Sequence, residues 1–234
     1  KSKPMPALQL YDTLLRFTLF QGMGHDELEQ LVAGTRLDFI KLPRATTLLH
    51  EGDPVGRLLL LTNGTLRVVT RSADRGYAVA EQIRPPFTIE PERIFGLHQA
   101  SARTFEATTD ANLIAIDKAE VAALCGRFMA FRLNMANMLA TQTQRSADSL
   151  WLPPAADLAG RIVRFIAERC LTARGPKEIH IMMERLAYEV NDSRLNVSRA
   201  LRGLREAGMI KTTRGKITVD ALERLTEAQL RYPL

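Results

Sequence analysis

The alternation of apolar and polar positions divides the chain into regions of different secondary structure. Near the start, Leu28, Leu31 and Val32 recur at helical spacing within His25–Gly34. From residue 35 to 117 the pattern changes to short apolar and β-branched runs separated by turn residues. These runs are Arg36–Lys41, Thr46–His50, Arg57–Leu61, Thr65–Arg71, Ala78–Ile83, Thr104–Thr108 and Asn112–Asp117. Short strands at this spacing, with no helices between them, predict an antiparallel roll, barrel or sandwich.

One long helix is expected from Lys118 to about Leu150, because this segment has no Pro and Gly126 is its only Gly. An apolar stripe advances along it in steps of three and four, as in a coiled-coil seam. The stripe consists of Val121, Leu124, Phe128, Phe131, Met135, Met138 and Gln142. We favour a dimer interface, because the stripe is longer than the face that a small roll can cover. The alternative is a helix packed on its own β domain.

Two consecutive prolines, Pro153-Pro154, end this helix and mark a domain boundary. Beyond them Asp157 can cap a helix that runs through Cys170, and Asp220 with Glu223 begins a short terminal helix. The predicted fold class is therefore α+β. It has three parts, a β-roll sensor domain (1–117), a dimerisation helix (118–152) and a C-terminal DNA-binding domain (153–234).

The segment from Met182 to Gly208 has the spacing of a helix-turn-helix, with Asn191-Asp192-Ser193 between two apolar-striped helices. In the second helix Val197, Leu201 and Leu204 form the core stripe. The remaining face is expected to point away from the core, where Arg can donate paired hydrogen bonds to guanine in the major groove. The expected DNA-contacting residues of this motif are Ser193, Arg194, Leu195, Asn196, Ser198, Arg199 and Arg202.

A basic hairpin follows the motif, from Lys211 to Val219. Two short β runs flank its tip, Arg214-Gly215-Lys216. This is the pattern of the wing in a winged helix, and we expect Arg214 and Lys216 to contact phosphates.

The placement of charge favours a polyanionic partner. Of the net charge of +6, residues 153–234 carry +5, with 15 basic against 10 acidic residues. Between Arg194 and Lys216 there are seven basic residues and one acidic residue, Glu206. A basic field concentrated on one motif is typical of a domain that binds nucleic acid.

Several functional classes are not supported by the sequence. No apolar run approaches the roughly 20 residues that span a bilayer, and the start lacks a signal peptide, so we expect a cytoplasmic protein without a membrane partner. The only cysteines, Cys125 and Cys170, form neither a Cys-x-x-Cys pair nor a zinc-site pattern and are expected to be packing residues. No catalytic constellation is present. We therefore expect no enzyme activity, metal or cofactor.

Along nearly its whole length the sequence resembles the CRP/FNR superfamily of transcription regulators. The motifs that carry the resemblance are His50-Glu51-Gly52-Asp53, Asn63-Gly64-Thr65-Leu66-Arg67-Val68, Phe95-Gly96-Leu97, Ala159-Gly160-Arg161-Ile162 and Asp192-Ser193-Arg194-Leu195-Asn196-Val197-Ser198-Arg199. The resemblance implies a cyclic-nucleotide-binding-like jelly roll, a dimerising helix and a winged helix. It also implies that Arg194 and Arg199 read bases. The implied partners are an inverted-repeat operator in double-stranded DNA, a second copy of the chain, RNA polymerase and a small-molecule effector of unknown identity.

The cassette that binds cyclic nucleotides in this family is altered here. The family pairs Gly-Glu with a downstream Arg-Ser or Arg-Thr, whose Arg meets the cyclic phosphate. This chain has Ile89-Glu90-Pro91, and Ser101-Ala102 stands at the Arg-Ser site. Arg103-Thr104 lies two residues further on and would serve only if the loop shifted. Ser146 falls near the adenine-contacting hydroxyls of the family.

We therefore expect an effector other than cyclic AMP. The alternative is a cyclic-nucleotide-responsive activator that uses Glu90, Arg103, Thr104 and Ser146. The resemblance also suggests an operator unlike that of the cyclic-AMP receptor protein. That protein has a Glu at the position of Leu195, where Leu offers apolar contact alone. The alternative is that Leu195 packs against the first helix of the motif and reads no base.

Overall fold

The computed structural model describes residues 7–231 except 152, 154 and 156, and side chains within residues 9–227. The chain forms two compact units. The first runs up to Leu66 and continues from Arg84 to Leu150, and the second comprises Arg67–Ile83 and the chain from Trp151 onward. Within the described range, no helix has the length and apolarity that a bilayer crossing needs.

The first unit is a β-roll flanked by helices. In chain order it contains α1 (Ala7–Leu15), a 3-10 helix (Thr18–Phe20), α2 (His25–Gly34), β1 (Leu37–Leu42), β2 (Thr47–Leu49) and β3 (Arg57–Asn63). The chain then forms β4 (Leu66–Arg71) and β5 (Tyr77–Ile83), which are described with the second unit. The remaining elements are β6 (Phe87–Ile89), α3 (Pro91–Phe95), β7 (Arg103–Ala107), β8 (Ala111–Asp117), α4 (Lys118–Arg127) and α5 (Met129–Ser149).

The strands of the roll are antiparallel. One sheet has the order β1-β8-β3-β6, and β2 pairs with β7. β3 is buried on both faces from Leu58 to Leu61, so it lacks the alternation of a strand with one solvent face. The seven predicted strands are confirmed to within a few residues, and the α+β class is confirmed. The short elements β6 and α3 were not predicted.

The predicted long helix is confirmed as α5, but its predicted start at Lys118 was wrong, because the helical segment is interrupted at Phe128, whose φ of −115° and ψ of 112° are extended. The stripe predicted as a dimer seam was also assigned to the wrong surface. Val121, Leu124, Phe128, Phe131 and Met135 are all buried in the core of their own unit. The packing alternative therefore describes this stripe, whose largest apolar side chains are not available to a partner.

The second unit contains the C-terminal helices and a twisted antiparallel sheet. Its elements are α6 (Leu158–Glu168), β9 (Lys177–Ile181), α7 (Met183–Glu189), α8 (Arg194–Glu206), β10 (Lys211–Thr213), β11 (Lys216–Val219) and α9 (Leu222–Arg231). The predicted cap of α6 is present, since Asp157 Oδ1 accepts a hydrogen bond from Gly160 N at 2.7 Å. Ile162, Ile166 and Leu201 are among the side chains of its core.

The hairpin β4–β5 extends this sheet, whose order is β10-β11-β9-β5-β4. β5 pairs with β9 from Tyr77 opposite Ile181 to Glu81 opposite Lys177. The hairpin lies within the range predicted for the sensor domain, but it is part of the second compact unit. The wing therefore belongs to a sheet that also contains strands from far earlier in the chain.

Candidate nucleic-acid interface

Helices α7 and α8 form the predicted helix-turn-helix. Asn191 takes a left-handed conformation, with φ of 50°, which turns the chain between them. Ser193 is the N-cap of α8, and its hydroxyl accepts a hydrogen bond from Asn196 N at 3.2 Å. Val197, Leu201 and Leu204 are buried, as the apolar stripe predicts.

An arginine of α6 holds the turn of this motif. Arg161 donates from Nη1 to the carbonyl oxygens of Val190 and Asn191 at 3.0 and 3.2 Å, and its Nη2 forms an ion pair with Asp192. Asp192 Oδ1 accepts hydrogen bonds from Ser193 N at 2.7 Å and from Asn196 Nδ2 at 2.9 Å. The Asn196 amide, the Ser193 N–H and Arg161 together lower the pKa of Asp192. The N-terminus of α8 is thus fixed by a charged network.

The outward face of α8 is exposed, but its polar side chains differ in their partners. Arg194 pairs with Glu184 of α7, with 2.9 Å between Nη1 and Oε1. Arg199 and Arg202 are exposed and have no ion pair within the described part of the chain. Leu195 is 60% exposed, so it does not pack into the motif. Ser198 is half-buried.

The wing is formed by β10 and β11 with a tip at Arg214-Gly215. Gly215 has φ of 72°, and a Cβ there would lie 3.2 Å from Met182 Sδ, so the turn favours glycine for its conformation and for its space. Arg214 is exposed at the tip. Lys216, by contrast, lies in β11 and donates to Glu178 Oε1 at 2.7 Å. That hydrogen bond is the main reason that the pKa of Glu178 is lowered.

A cleft of about 280 Å³ lies between the start of α7, α8 and the wing. Met182, Met183 and Leu201 give it an apolar part, and Arg194 and Arg214 are among its basic lining residues. The recognition helix and the wing tip thus border one basic concave surface.

The β4–β5 hairpin contacts the elements that form this surface. Glu81 and Lys177 are almost fully buried, and Lys177 Nζ lies 2.6 Å from Glu81 Oε1. The Glu81 carboxylate also accepts hydrogen bonds from the backbone of Leu171 and Thr172. At the hairpin tip, Asp74 Oδ2 lies 2.6 Å from Arg185 Nη1 of α7.

A second cluster lies in the roll, around the predicted effector residues. Glu90 and Arg103 are brought together, with Arg103 Nη1 2.9 Å from Glu90 Oε1. The Thr104 hydroxyl accepts a hydrogen bond from Glu51 N at 3.2 Å instead. Ser146 is exposed on α5 and, among the residues that the structure describes, forms no hydrogen bond to these three.

Sequence reasoning missed several residues that shape the interface. Arg161 was noted only as part of a family motif, and Glu184, Glu178 and the pair Glu81–Lys177 were not noted at all. A charged residue at an inward position of a strand, as at Lys177, is the one signal that could have revealed the buried pair.

Family models match two parts of the chain. The family model of the cyclic nucleotide-binding domain matches residues 39–128, and that of the Crp-like helix-turn-helix domain matches residues 160–228. The chain is a CRP/FNR-type transcription regulator. A search of curated protein sequences gives no match to this regulator.

Solved structures share the fold of this CRP/FNR-type regulator. The Catabolite Activator Protein of Thermus thermophilus is 21% identical, with 91% of this chain and 98% of that chain covered and a TM-score of 0.51. A crp/fnr-family regulator from Eubacterium rectale is 21% identical, with 92% and 99% covered and a TM-score of 0.52. The sensor domain of the regulator DNR from Pseudomonas aeruginosa is 16% identical, with 61% and 93% covered and a TM-score of 0.52.

Proposed function

We propose that this regulator binds an inverted-repeat operator in double-stranded DNA as a homodimer, with α8 of each subunit in the major groove. The observation that carries the proposal is the outward face of α8. It presents exposed arginines on a helix whose N-terminus is fixed by the Arg161–Asp192 pair, next to a basic wing tip. A rigid helix with unengaged guanidinium groups is suited to the reading of base edges.

The side chains of this face fall into two groups, those that can read bases and those that can contact phosphates. Arg199 and Arg202 are the best candidates to donate to guanine, and Leu195 can contact a thymine methyl group. Arg194 has to leave Glu184 before it can read a base. Ser193, Asn196 and Ser198 lie at the N-terminal end of α8, the end of a helix that favours phosphate. The Asn196 amide has to leave Asp192 Oδ1 before it can donate to a phosphate.

On the wing, Arg214 is the proposed phosphate contact. Its side chain is exposed at the tip and has no ion pair among the described residues, whereas Lys216 shares Glu178 with His180 and Arg67. Because Lys216 must give up an ion pair to bind a phosphate, we propose a smaller contribution from it than from Arg214.

A different stripe of α5 is the proposed dimer interface. Met129, Leu133, Ala136, Ala140, Thr143, Ala147 and Leu150 follow one another in steps of four and three, and all are exposed. These steps define a coiled-coil seam. Its small central residues allow two helices to approach closely, and its large apolar residues, 54–80% exposed, lie toward both ends. This stripe lies on the side of α5 opposite the buried one.

The other proposed partners are RNA polymerase and a small-molecule effector. The proposed location is the cytoplasm, where the bacterial chromosome is. A second candidate function is a cyclic-nucleotide-responsive activator. The match of residues 39–128 to the cyclic nucleotide-binding domain favours it, as does the position of Arg103, whose guanidinium reaches the cassette.

Selection of binding sites from a random pool of double-stranded DNA tests the proposal. We expect enrichment of an inverted repeat whose half-sites are about one helical turn, roughly 34 Å, apart. The variant Arg199→Ala/Arg202→Ala should lose this enrichment. Arg224→Ala, which removes an exposed arginine of α9 in the same unit, should retain it. Enrichment of no motif, or of a motif that survives the loss of both arginines, contradicts the proposal.

A further inference from the structure

The carboxylate of Glu90 is surrounded by hydrogen-bond donors from the strand that follows the cassette. Ser101 Oγ donates to Oε2 at 2.7 Å, Ala102 N donates to Oε1 at 3.1 Å, and Arg103 Nη1 donates to Oε1 at 2.9 Å. One hydroxyl, one backbone N–H and one guanidinium on a single anion is a donor set suited to phosphate as much as to carboxylate.

Burial and charge keep the three donors on the Glu90 carboxylate, although Arg103 Nε is buried without a hydrogen-bond partner among the described residues. The Glu90 side chain is 2% exposed and that of Arg103 is 20% exposed. Glu92 also lies near Arg103, with 3.6 Å between Oε1 and Nη1. A phosphate could reach these donors only by displacing the Glu90 carboxylate, which would leave a buried charge without its partners. The donors are therefore engaged before any ligand arrives.

The backbone of Glu90 has an unusual conformation. Its φ of 40° and ψ of 51° are left-handed, a conformation that side-chain-bearing residues seldom adopt. Pro91 follows it and begins α3. A non-glycine residue keeps such a conformation where its surroundings determine it, and here the three donors do so.

We propose that the Glu90 carboxylate is a built-in anion in the place of an effector phosphate, so that the roll is closed without a phosphorylated ligand. Its consequence for regulation rests on the proposed function: operator binding then needs no cyclic nucleotide or other phosphate ester. The altered cassette is thus a filled anion site rather than a damaged one.

Removal of the carboxylate should convert the cluster into a phosphate site. The test variant is Glu90→Gly in a Glu92→Gln background, and Glu92→Gln alone is its matched control. Glycine suits the positive φ of position 90, and the Glu92→Gln change prevents a second carboxylate from taking the vacated donors. With about 10 mM inorganic phosphate we expect the Tm of the test variant to rise by about 3 °C at constant ionic strength, as a site of roughly millimolar affinity gives. The control and the wild type should not shift.

Further variants and ligands identify the ligand class and keep the test valid if the test variant misfolds. Addition of Arg103→Ala to the test variant should abolish the phosphate shift, and cyclic AMP in place of phosphate shows whether the site accepts an ester. If the test variant does not fold, Glu90→Gln in the same background takes its place. Phosphate should then raise the Tm of this variant by more than it raises that of the control. In calorimetry the wild type should bind neither phosphate nor cyclic AMP.

Two results overturn the proposal. One is wild-type binding of phosphate or cyclic AMP that Arg103→Ala abolishes, and the other is a folded test variant with no response to phosphate. Because none of these arms contains DNA, failure of operator binding would overturn the proposed function without affecting them. Operator binding that appears only when a phosphate ester is added would overturn the regulatory consequence.

Discussion

The arginines of the recognition helix differ in what each must release before it contacts a base. Arg194 is held by Glu184 at 2.9 Å, so reading a base costs it an exposed ion pair. Arg199 releases no ion pair within the described structure, and the same holds for Arg214 at the wing tip. These two residues allow base reading to be separated from phosphate contact.

We expect Arg199→Ala to cost roughly 1–3 kcal/mol of binding free energy on the best operator and to relax specificity at one base pair. Arg214→Ala should weaken binding to all sequences about equally and lower the salt slope of log K by about one unit. The reason is location, since Arg199 lies on the groove face of α8 and Arg214 on the wing tip.

Titration of both variants against operators with single-base changes, at several salt concentrations, checks this prediction. Lys216→Ala provides a comparison on the same hairpin, with a smaller expected loss because Lys216 is already paired with Glu178. A uniform loss for Arg199→Ala across all operators, or a base-specific loss for Arg214→Ala, would refute the assignment.

For single residues, the sequence predicted which side chains are buried or exposed better than it predicted their hydrogen-bond and ion-pair partners. The buried and exposed sides of α8 follow from its 3.6-residue period, because Val197 and Leu201 need a core. The ion pair of Lys216 with Glu178, 38 positions earlier in the chain, could not be read from spacing. Side-chain partners of this kind depend on tertiary register.

Among the elements, the β4–β5 hairpin is the one that stabilises the wing through the sheet. β11 pairs with β9, and β9 pairs with β5, so the sheet links the strand that carries the wing to a strand from the first half of the chain. The buried Glu81–Lys177 ion pair links β5 to β9. Removal of one partner of such a pair leaves an uncompensated charge inside the protein.

We expect Lys177→Met to lower the free energy of unfolding of the second unit by about 3–5 kcal/mol, because the Glu81 carboxylate then remains buried without its cation. Glu81→Gln/Lys177→Met should recover much of this loss, since the amide oxygen of Gln can still accept the backbone hydrogen bonds of Leu171 and Thr172. Thermal unfolding followed by calorimetry measures both.

Lys216→Met is the matched control for that experiment, because it makes the same substitution in an ion pair whose two side chains are 33% and 37% exposed. Its expected cost is below about 1 kcal/mol. Equal losses for Lys177→Met and Lys216→Met, or no recovery in the double variant, would show that the hairpin is not held by a buried charge pair.

The elements that the sequence predicted are those with a clear period, and the failures have physical causes. β9 was missed because buried Lys177 occupies one of its inward positions, which breaks the apolar alternation. β6 is three residues long, too short to show a period. The long helix was predicted to start too early because nothing in its composition marks the break at Phe128, whose backbone is extended and whose side chain is buried.

For the whole molecule, the decisive feature is the second stripe of α5. The more apolar stripe is buried in its own unit, so the surface left for a partner is the weaker stripe from Met129 to Leu150. The sequence favours the wrong stripe because a small roll is expected to cover a shorter face, whereas the stripe is buried in its own unit from Val121 to Met135. In the proposed dimer the second half-site would be bound at the high effective concentration that linkage provides, so operator binding would be tighter than that of a monomer.

The measurement that tests this account most directly compares Ala140→Glu with Thr141→Glu in sedimentation and in operator binding. Both residues are exposed and adjacent in α5, but they are turned about 100° from each other around the helix, and only Ala140 lies on the proposed seam. We predict that Ala140→Glu is a folded monomer with at least about 100-fold weaker binding to the two-half-site operator. Thr141→Glu should remain a dimer with wild-type affinity. A dimeric Ala140→Glu protein with unchanged operator affinity would contradict the account.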